Sequence, residues 1–495
     1  MNQEVKTING YTIKDEKAIR TYDTVALMKT DRKLKEGQHV KTRGYYSIND
    51  GGGVEYYITD TSSESDYQEN LENGLYATLL VKENTVNILQ CGAKNNNSTD
   101  VGTLINTLMN IYNYKIYVPL GEYLVTNTIN PSGEKTLIIK GNLTYSGNDS
   151  CIKIDSKRNY VETRDITASN GVCVLLENND TEETRCQRNI IKLMGTLIAN
   201  NNHCLYLHSI KKGIAYNEIY FDVLRAKAST HYAIYIKTES EDSSVAKYVN
   251  ENTFYGGRCS RGLYGIYIDT NITGANGECN GLKFYNICLE GVTNGIYLNN
   301  ARSNNFVSPR VGELSGHYLK LVGSCDGNNV NFLSLVTPDK IDVSEMTNTN
   351  GWSFNNFIDC EISTSGGTRF GRNFIASNRR LPIERLINKF SRKNITDSDV
   401  TEGEDDNPNI FIMDNNQYSN YLLMNSTLNP IITLNGYYGS KGINELYISE
   451  QGANKPFKLY DSYGSLVEDY STPATSGLKH FICVDVNHVD TWIEV

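Results

Sequence analysis

A short motif of alternating aliphatic and tyrosine residues recurs along the middle of the 495-residue chain, and this repeat limits the fold more than any other feature. Clear copies stand at residues 262–268, 291–298 and 312–319, and weaker copies at 204–207 and 233–236. Successive copies lie about 20–30 residues apart, which is the length of one coil in a solenoid. Because neighbouring coils of a solenoid bury a common core, we predict an all-β parallel β-helix in which a single chain winds through all the coils.

A second repeated feature is an asparagine placed just before a strand. Asn252, Asn305, Asn331 and Asn356 are each followed within two residues by a phenylalanine, and we align the strands on that phenylalanine. Asparagine tolerates left-handed backbone and can hydrogen-bond within its own turn. We therefore expect these asparagines at the corners of the coils.

Residues 86–143 have the pattern of a closed first coil. Short apolar strands surround one amphipathic helix, whose stripe includes Leu104, Ile105, Leu108, Met109 and Tyr112, with Thr99 or Asp100 as its cap. A helix at this place covers the end of a solenoid, which otherwise exposes an apolar core and unpaired strand edges. Ahead of it, Asp23 is expected to cap a short helix, and residues 40–58 predict a hairpin through a glycine-rich turn.

The motifs of this entry segment resemble those of the pectate-lyase-like superfamily to which phage tailspikes belong. The matching residues are the strand at Val86-Asn87, the run Gly92-Ala93-Lys94, and the pattern valine-proline-x-glycine-x-tyrosine at residues 118–123. The sequence departs from the superfamily at Cys91, where an aromatic residue is usual, and in its asparagine-rich turn. Residues 20–60 are similar to a short module found ahead of this fold in phage tail proteins.

This resemblance implies a right-handed parallel β-helix in a virion protein of the phage tail, assembled in the host cytoplasm. It implies a homotrimer that recognises, and in some relatives cleaves, polysaccharide on the host surface. The expected organisation is a virion-attachment module at 1–85 that binds a tail or neck protein, the β-helix with its capping helix at 86–375, a charged linker at 376–409, and a C-terminal β domain at 410–495. That last domain is expected to serve trimerisation or glycan binding.

Strand alternation predicts a column of tyrosines on the outside of the coils. In runs such as Ile266-Tyr267-Ile268 the aliphatic residues must face the core, so the tyrosine and the next polar residue face outward. The column contains Tyr206, Tyr235, Tyr267, Tyr297 and Tyr318, and beside it run His208, Lys237, Asp269, Asn299 and Lys320. A subunit interface is the favoured role, ahead of a sugar-stacking platform, inward packing or plain exposure to solvent.

Two carboxylates are candidate catalytic residues. Asp359 and Glu361 share one face of a strand at a separation of about 6.5–7 Å, with Arg310 two coils away, and such a pair suits an inverting glycosidase. The alternative is an ordinary ladder of charges on a solvated sheet. Glu290 is a third candidate, although an ion pair with Arg261 of the previous coil also accounts for it.

Charge and composition narrow the functions that fit. A formal net charge of −10 disfavours binding to nucleic acid or to an anionic membrane surface. The cysteines and histidines are scattered, and they indicate neither a metal site nor a cofactor. We read neither a secretory signal nor a membrane-spanning run, so membrane insertion is not expected. The leading hypothesis is a tailspike that recognises host polysaccharide and cleaves it as a glycoside hydrolase or a polysaccharide lyase. The first alternative is a non-enzymatic structural or adhesion appendage of the virion. The second alternative is a free bacterial enzyme that degrades polysaccharide.

Overall fold

The computed structural model describes residues 7–8, 11–12, 19–178, 186–239, 247–270, 277–312, 314–325, 327–335 and 340–346, together with the backbone of ten strands between residues 356 and 494. The chain divides into two units. The first unit contains Met1–Tyr235 and Glu241–Gly262, and the second contains Ile236–Ser240 and Leu263–Val495. The strand β23, introduced below, crosses this division.

The first unit begins with a two-stranded antiparallel sheet, a mixed five-stranded sheet and a short helix. Its elements are β1 (Thr7–Ile8), β2 (Tyr11–Thr12), β3 (Arg20–Tyr22), α1 (Val25–Lys29), β4 (His39–Thr42), β5 (Glu55–Thr59), β6 (Gln68–Asn70) and β7 (Tyr76–Leu79). The antiparallel pair β4–β5 confirms the predicted hairpin. The helix cap differs from the prediction, because the Thr24 side chain, rather than Asp23, accepts the Leu27 N–H at 3.2 Å.

A helix and its capping carboxylate close the first coil. The elements are β8 (Thr85–Asn87), a 3-10 helix (Ile88–Cys91), β9 (Asn96–Asp100), α2 (Gly102–Ile111), β10 (Lys115–Val118) and β11 (Glu122–Val125). The α2 side chains Ile105, Leu108 and Met109 are fully buried, as the apolar stripe predicts. The Asp100 carboxylate accepts the N–H groups of Gly102 and Thr103, so the predicted cap is confirmed.

Three tyrosines hold the N-terminal module against this closed coil. Their hydroxyl groups donate to three successive carbonyl oxygens at the end of the 3-10 helix: Tyr56 to Gln90 (3.3 Å), Tyr67 to Cys91 (3.0 Å) and Tyr46 to Gly92 (2.8 Å). The Tyr67 hydroxyl also lies 2.8 Å from the carboxylate of Glu69, so its one proton has two acceptors, and Lys29 forms an ion pair with the same carboxylate. The module and the first coil are therefore joined by directional bonds as well as by the chain.

The first unit continues as stacked coils of parallel strands. The strands are β12 (Thr136–Ile139), β13 (Asn142–Tyr145), β14 (Ser150–Ile154), β15 (Tyr160–Thr163), β16 (Ile166–Ala168), β17 (Val172–Asn178), β18 (Cys186–Gln187), β19 (Ile190–Ala199), β20 (Leu205–Ser209), β21 (Ile214–Ala215), β22 (Glu218–Ala226), β23 (Tyr232–Thr238), β24 (Lys247–Asn250) and β25 (Thr253–Ser260). Tyr160 pairs with Ile190 and Ile190 with Glu218, so one coil takes 30 residues and the next takes 28.

The coils of the first unit form three sheets, of which the second begins at β14 and the third at β18. The long sheet contains β8, β10, β12, β15, β19, β22 and β25, with β9, β11, β13 and β16 in register beside them. The second sheet contains β14, β17, β20 and the start of β23, and the third contains β18, β21 and β24. Aliphatic side chains face inward on most of these strands and form a buried core; β9 is the exception, with a polar and exposed sequence.

The second unit repeats the same arrangement. Its strands are β26 (Tyr264–Thr270), β27 (Gly277–Asn280), β28 (Lys283–Glu290), β29 (Asn294–Asn299), β30 (Asn305–Val307), β31 (Arg310–Gly312), β32 (Leu319–Gly323), β33 (Asn329–Leu335), β34 (Ile341–Met346) and β35 (Asn356–Ser363). These strands pair in parallel, until β36 (Arg369–Ala376) pairs antiparallel with β35. The parallel β-helix prediction is confirmed, and its coils end at β35.

Beyond β36 the predicted linker over 376–409 lies outside the described residues, apart from its two ends. The remaining strands are β37 (Asn409–Asp414), β38 (Asn420–Asn425), β39 (Ile431–Thr433), β40 (Asn444–Ile448), β41 (Phe457–Tyr460), β42 (Leu466–Tyr470), β43 (Lys479–Val486) and β44 (Val489–Glu494). All of their pairs are antiparallel except β39–β41. The domain boundaries and the role of residues 410–495 stay predictions.

A buried asparagine precedes several strands of the long sheet and bonds to the asparagine of the next coil. In the first unit these residues are Asn159, Asn189, Asn217 and Asn252, all at most 2% exposed. The side-chain oxygen of each downstream asparagine accepts both the backbone N–H and the side-chain amide of the upstream one, at 2.7–3.1 Å. We call this row the asparagine ladder. It corrects the expectation that each asparagine bonds within its own turn.

The second unit has the same ladder in a different register from the predicted one. Asn304 and Asn328 are its members, and the Asn328 oxygen accepts the Asn304 N–H at 3.1 Å. The alignment on phenylalanine is wrong here, because Phe306 lies opposite Val330 rather than Phe332. Both residues face the core, where valine and phenylalanine replace one another, so residue type alone does not set the register.

Candidate functional site

Stacked tyrosine rings lie on the outward side of both units, as alternation predicts. In the first unit the rings of Tyr206 and Tyr235 are 4.6 Å apart and 5° from parallel. In the second unit the rings of Tyr267 and Tyr297 are 4.2 Å apart and 2° from parallel. All four are half-buried, and they alternate with fully buried aliphatic residues. We call these two pairs the tyrosine rungs.

The predicted column is wrong at its last member. Lys320 takes the position opposite Tyr297, whereas Tyr318 lies one residue before β32, and its carbonyl oxygen accepts the Ile296 N–H at 2.9 Å. The motif copy at 312–319 misled the alignment, because Leu319 pairs with Ile296 rather than with Leu298. The run Leu319-Lys320-Leu321 has the same alternation and would have given the correct register.

Stacking decides what the tyrosine rungs can offer a ligand. Because the rings of each rung lie parallel at van der Waals distance, the two facing sides cover one another, and Tyr264 packs edge-on against both rings of the second unit. Stacking therefore leaves at most one face of each ring open to a ligand. The phenol hydroxyl of each ring can both donate and accept hydrogen bonds.

Polar side chains beside the rungs of the second unit are already paired with one another. The Asn299 amide donates to the Asp269 carboxylate at 2.8 Å. Lys320 forms ion pairs with Asp342, at 3.0 Å, and with Glu345, and these partners raise the pKa of Lys320. This edge therefore presents a fixed arrangement of donors and acceptors around the tyrosines.

In the first unit a charged cluster lies beside Tyr206. The Glu177 carboxylate is 3.6 Å from His208 Nδ1 and forms an ion pair with Lys153. The hydrogen bond with His208 and then the pairing with Lys153 lower the pKa of Glu177, against the opposing effect of burial. The His208 ring in turn stacks on Tyr206 at 4.8 Å.

Two further histidines lie at the same rung, although the histidines are dispersed along the sequence and no cluster is predicted from it. His203 lies 4.7 Å from Tyr235 and 4.9 Å from His231, ring to ring, and accepts the Tyr232 N–H at Nδ1. Burial, with a smaller effect of His231, lowers the pKa of His203 to about 3, so its ring is neutral at physiological pH. The signal was the spacing of 28 residues from His203 to His231, which is one coil.

The predicted catalytic residues lie on the second unit. Asp359 and Glu361 are on β35, where Asp359 pairs with the exposed Asn331, but their side chains lie outside the described residues. Glu290 ends β28, with its carboxylate 3.8 Å from the Cys288 sulfur. Exposed Arg310 begins β31 and lies opposite Cys288, so β33 separates it from β35, as predicted. The catalytic assignment stays a prediction.

The described part of the chain contains neither a group of residues placed to bind a metal ion nor a membrane-spanning helix. No group of three or more His, Cys, Asp or Glu residues there is placed to hold a metal ion. Within the same residues, no helix has the length and apolar character needed to cross a bilayer.

Closed parallel coils with an entry helix and a buried asparagine ladder define a parallel β-helix protein. Residues 85–308 match the family model described as Rhamnogalacturonase A/epimerase, pectate lyase-like. The match runs from β8 to the residue after β30, and it includes residues 86–143, whose motifs resemble those of the pectate-lyase-like superfamily. No curated protein sequence matches the chain.

Several solved structures are similar to this chain at low identity. WceF of Pantoea stewartii, described as a glycan biofilm modifying enzyme with a bacteriophage tailspike-like parallel β-helix fold, aligns with a TM-score of 0.37 and 14% identity over 78% of this chain, which spans 57% of the WceF chain. Tailspike protein 2 of Escherichia coli O157:H7 bacteriophage CAB120 aligns with a TM-score of 0.37 and 10% identity over 94% of this chain and 74% of its own. Tailspike gp49 of Acinetobacter baumannii bacteriophage Fri1 is described as a capsular polysaccharide depolymerase. It aligns with a TM-score of 0.35 and 10% identity over 83% of this chain and 92% of its own.

Proposed function

We propose that this chain is a tailspike-type receptor-binding protein of a phage virion, which recognises polysaccharide on the host surface through the outward side of its β-helix. The observation that carries the proposal is the pair of tyrosine rungs on coils that match a pectate-lyase-like family model. Phenol hydroxyls next to fixed carboxylate and amide groups, such as Asp269 and Asn299, supply the hydrogen bonds that sugar hydroxyls require.

Cleavage of the bound polysaccharide is the second part of the proposal. Asp359 and Glu361 are the candidate acid and base, and Glu290 is the further candidate carboxylate. Their strands β35 and β28 both run parallel within the coils of the second unit. Alternation along β35 gives Asp359 and Glu361 the spacing that an inverting glycosidase needs for its attacking water.

A purely adhesive appendage is the second candidate function. It is favoured because the carboxylates beside the rungs are already bonded to neighbouring side chains. Asp269 accepts a hydrogen bond from Asn299, and Asp342 forms an ion pair with Lys320. Carboxylates held in this way position a ligand well, but they are poorly suited to exchange protons with it. One experiment, which measures both binding and cleavage of polysaccharide, separates the two candidates.

The full chain is incubated with a panel of purified capsular and wall polysaccharides, and both binding and released fragments are measured. We expect one polymer to bind and to be shortened. Tyr297→Ala should weaken its binding at least tenfold, whereas Asp359→Asn and Glu361→Gln should retain binding and lose fragment release. Asp222→Asn, an exposed carboxylate on β22 of the first unit, is the matched control.

The outcomes distinguish the alternatives. Binding without fragments in the unmodified protein supports the adhesive appendage. Fragment release that survives in both Asp359→Asn and Glu361→Gln removes this pair as the catalytic residues and directs the same test to Glu290. A protein that binds none of the polymers contradicts the proposal as a whole.

We further propose that the chain is a homotrimer attached to the phage tail. Residues 1–85 would contact a tail or neck protein, and assembly would take place in the host cytoplasm. The support is the similarity of residues 20–60 to modules of phage tail proteins, together with the bonds that join this module to the first coil.

A further inference from the structure

A lysine lies between two tyrosine rings on the outward side of the long sheet in the first unit. The Lys192 ammonium on β19 is 5.4 Å from the ring centre of Tyr160 on β15 and 5.9 Å from that of Tyr220 on β22. Tyr220 stacks on Tyr255 of β25 at 4.5 Å and 11°. These four residues, one from each of four successive coils, form what we call the Lys192 face.

The charge of Lys192 is not neutralised by an ion pair within the described residues. The carboxylate opposite it in register, Glu162, forms an ion pair with Lys140 and accepts the Tyr160 hydroxyl at 2.9 Å. The next carboxylate, Glu218, accepts the Tyr220 hydroxyl at 2.9 Å. Contact with aromatic faces attracts the ammonium without cancelling its charge, and the residue is half-buried. An anionic group of a ligand can therefore gain a charge-assisted hydrogen bond here.

Apolar side chains flank the lysine on the same strand. Ile190 and Met194, two residues before and after Lys192, are 38% and 44% exposed, whereas Ile191 and Leu193 between them are fully buried. Exposed aliphatic groups beside a cation match a sugar ring, whose C–H face is apolar and whose substituents are polar. They do not match a free inorganic ion, which has no apolar part.

We infer that the Lys192 face binds an anionic substituent of a polysaccharide, a carboxylate or a phosphate, while the sugar that carries it packs on Ile190 and Met194. The inference rests on the proposed function, because it names the charge class of the polymer. Lys192 is a single cation, and its neighbouring carboxylates are bonded to other side chains, on a chain of net charge −10. Such a site suits a polymer with widely spaced anionic groups better than the closely spaced phosphates of a nucleic acid.

The test measures binding of the full chain to four polymers at 50 and 200 mM NaCl. Polygalacturonate supplies carboxylates, a poly(glycerol phosphate) teichoic acid supplies phosphates, and carboxyl-reduced polygalacturonate and dextran are the neutral counterparts. We expect one anionic polymer to bind, and to bind less tightly at high salt, with no comparable binding of the neutral polymers. Preference for the carboxylate or the phosphate polymer identifies the source of the charge.

Substitutions at the lysine complete the test. Lys192→Gln should weaken binding of the anionic polymer at least fivefold, Lys192→Arg should retain most of it, and exposed Lys227→Gln should leave it unchanged. Unaltered thermal unfolding of each variant shows that the coils remain intact. Equal binding by Lys192→Gln and the unmodified protein, or equal binding of charged and neutral polymers, overturns the inference.

The inference and the proposed function fail in different ways. If a host polysaccharide binds and Tyr297→Ala weakens it while Lys192→Gln does not, the proposed function stands and the Lys192 face is not part of the site. If no polysaccharide of either set binds, both are contradicted.

Discussion

At the scale of single residues, the asparagine ladder explains a residue type that is abundant in the sequence but unusual in a core. Asparagine is mostly an exposed residue, and burying its amide is costly unless every polar atom is bonded. Asn217 meets this condition: its oxygen accepts from Asn189, and its amide donates to the Asn252 oxygen and to the Cys186 carbonyl. One buried side chain thus serves the coil before it and the coil after it.

Removing one member of the ladder should be strongly destabilising. Asn217→Ala leaves the Asn189 N–H and the Cys186 carbonyl oxygen without partners, and we expect a loss of about 3 kcal/mol in the free energy of unfolding. Chemical denaturation followed by tyrosine fluorescence measures the change. The control is Asn201→Ala, whose exposed side chain bonds only to exposed Asn170, and it should change stability by less than about 0.5 kcal/mol. Equal losses in the two variants would contradict this role.

At the scale of elements, the entry helix depends on one carboxylate. Asp100 accepts the N–H groups of Gly102 and Thr103 at the start of α2, and those of Thr126 and Asn127 after β11. Burial alone would raise the pKa of Asp100, but these donors outweigh it and hold the pKa well below its usual range. The side chain therefore joins the start of α2 to the residues after β11, and these bonds are strongest while it is ionised.

Stability should accordingly fall in acid through this group. Because its pKa is lower in the folded than in the unfolded chain, its contribution is complete above the unfolded value of about 4 and is lost as the pH falls through the folded value. Asp100→Ala should cost about 1–2 kcal/mol at pH 7 and flatten the pH dependence below pH 4. Thermal unfolding of both proteins between pH 2 and pH 7 measures this. A constant difference between them over that range would contradict the assignment.

The inward-facing residues and the entry helix could be predicted from the sequence, but the alignment of strands between neighbouring coils could not. Alternation in runs such as Ile266-Tyr267-Ile268 fixes which residues face inward, and the helix stripe with Asp100 fixes the entry cap. The position of Tyr318 could not be fixed, because coils differ in length and a two-residue shift preserves the alternation. The histidine cluster and the Lys192 face depend on register between coils, so neither can be read from local patterns.

At the scale of the whole molecule, the predicted trimer and the predicted polysaccharide site compete for the tyrosine rungs. An outward column of tyrosines in the sequence favours a subunit interface, whereas the proposed function assigns the same residues to sugar binding. Half-buried stacked rings, as at Tyr267 and Tyr297, are compatible with either role. The oligomeric state of a rung variant therefore distinguishes them.

Light scattering at micromolar concentration should give a mass three times the 55.5 kDa of one chain. Tyr297→Ala should remain a trimer if the rungs bind polysaccharide, and should lose mass if they are the subunit interface. A monomer in the unmodified protein would contradict the trimer. Tyr57→Phe, on the exposed side of the N-terminal sheet, is the control and should not alter the mass.

The asparagine ladder also gives the solenoid a direction along the chain. Within each unit, the backbone N–H that opens a coil is bonded by a side chain that comes later in the chain, as Asn159 is by Asn189 and Asn304 by Asn328. Each of these coils therefore depends on residues that follow it in the chain. A chain truncated between two members of the ladder should leave the last remaining asparagine with an unbonded backbone N–H, wherever in the ladder the truncation falls.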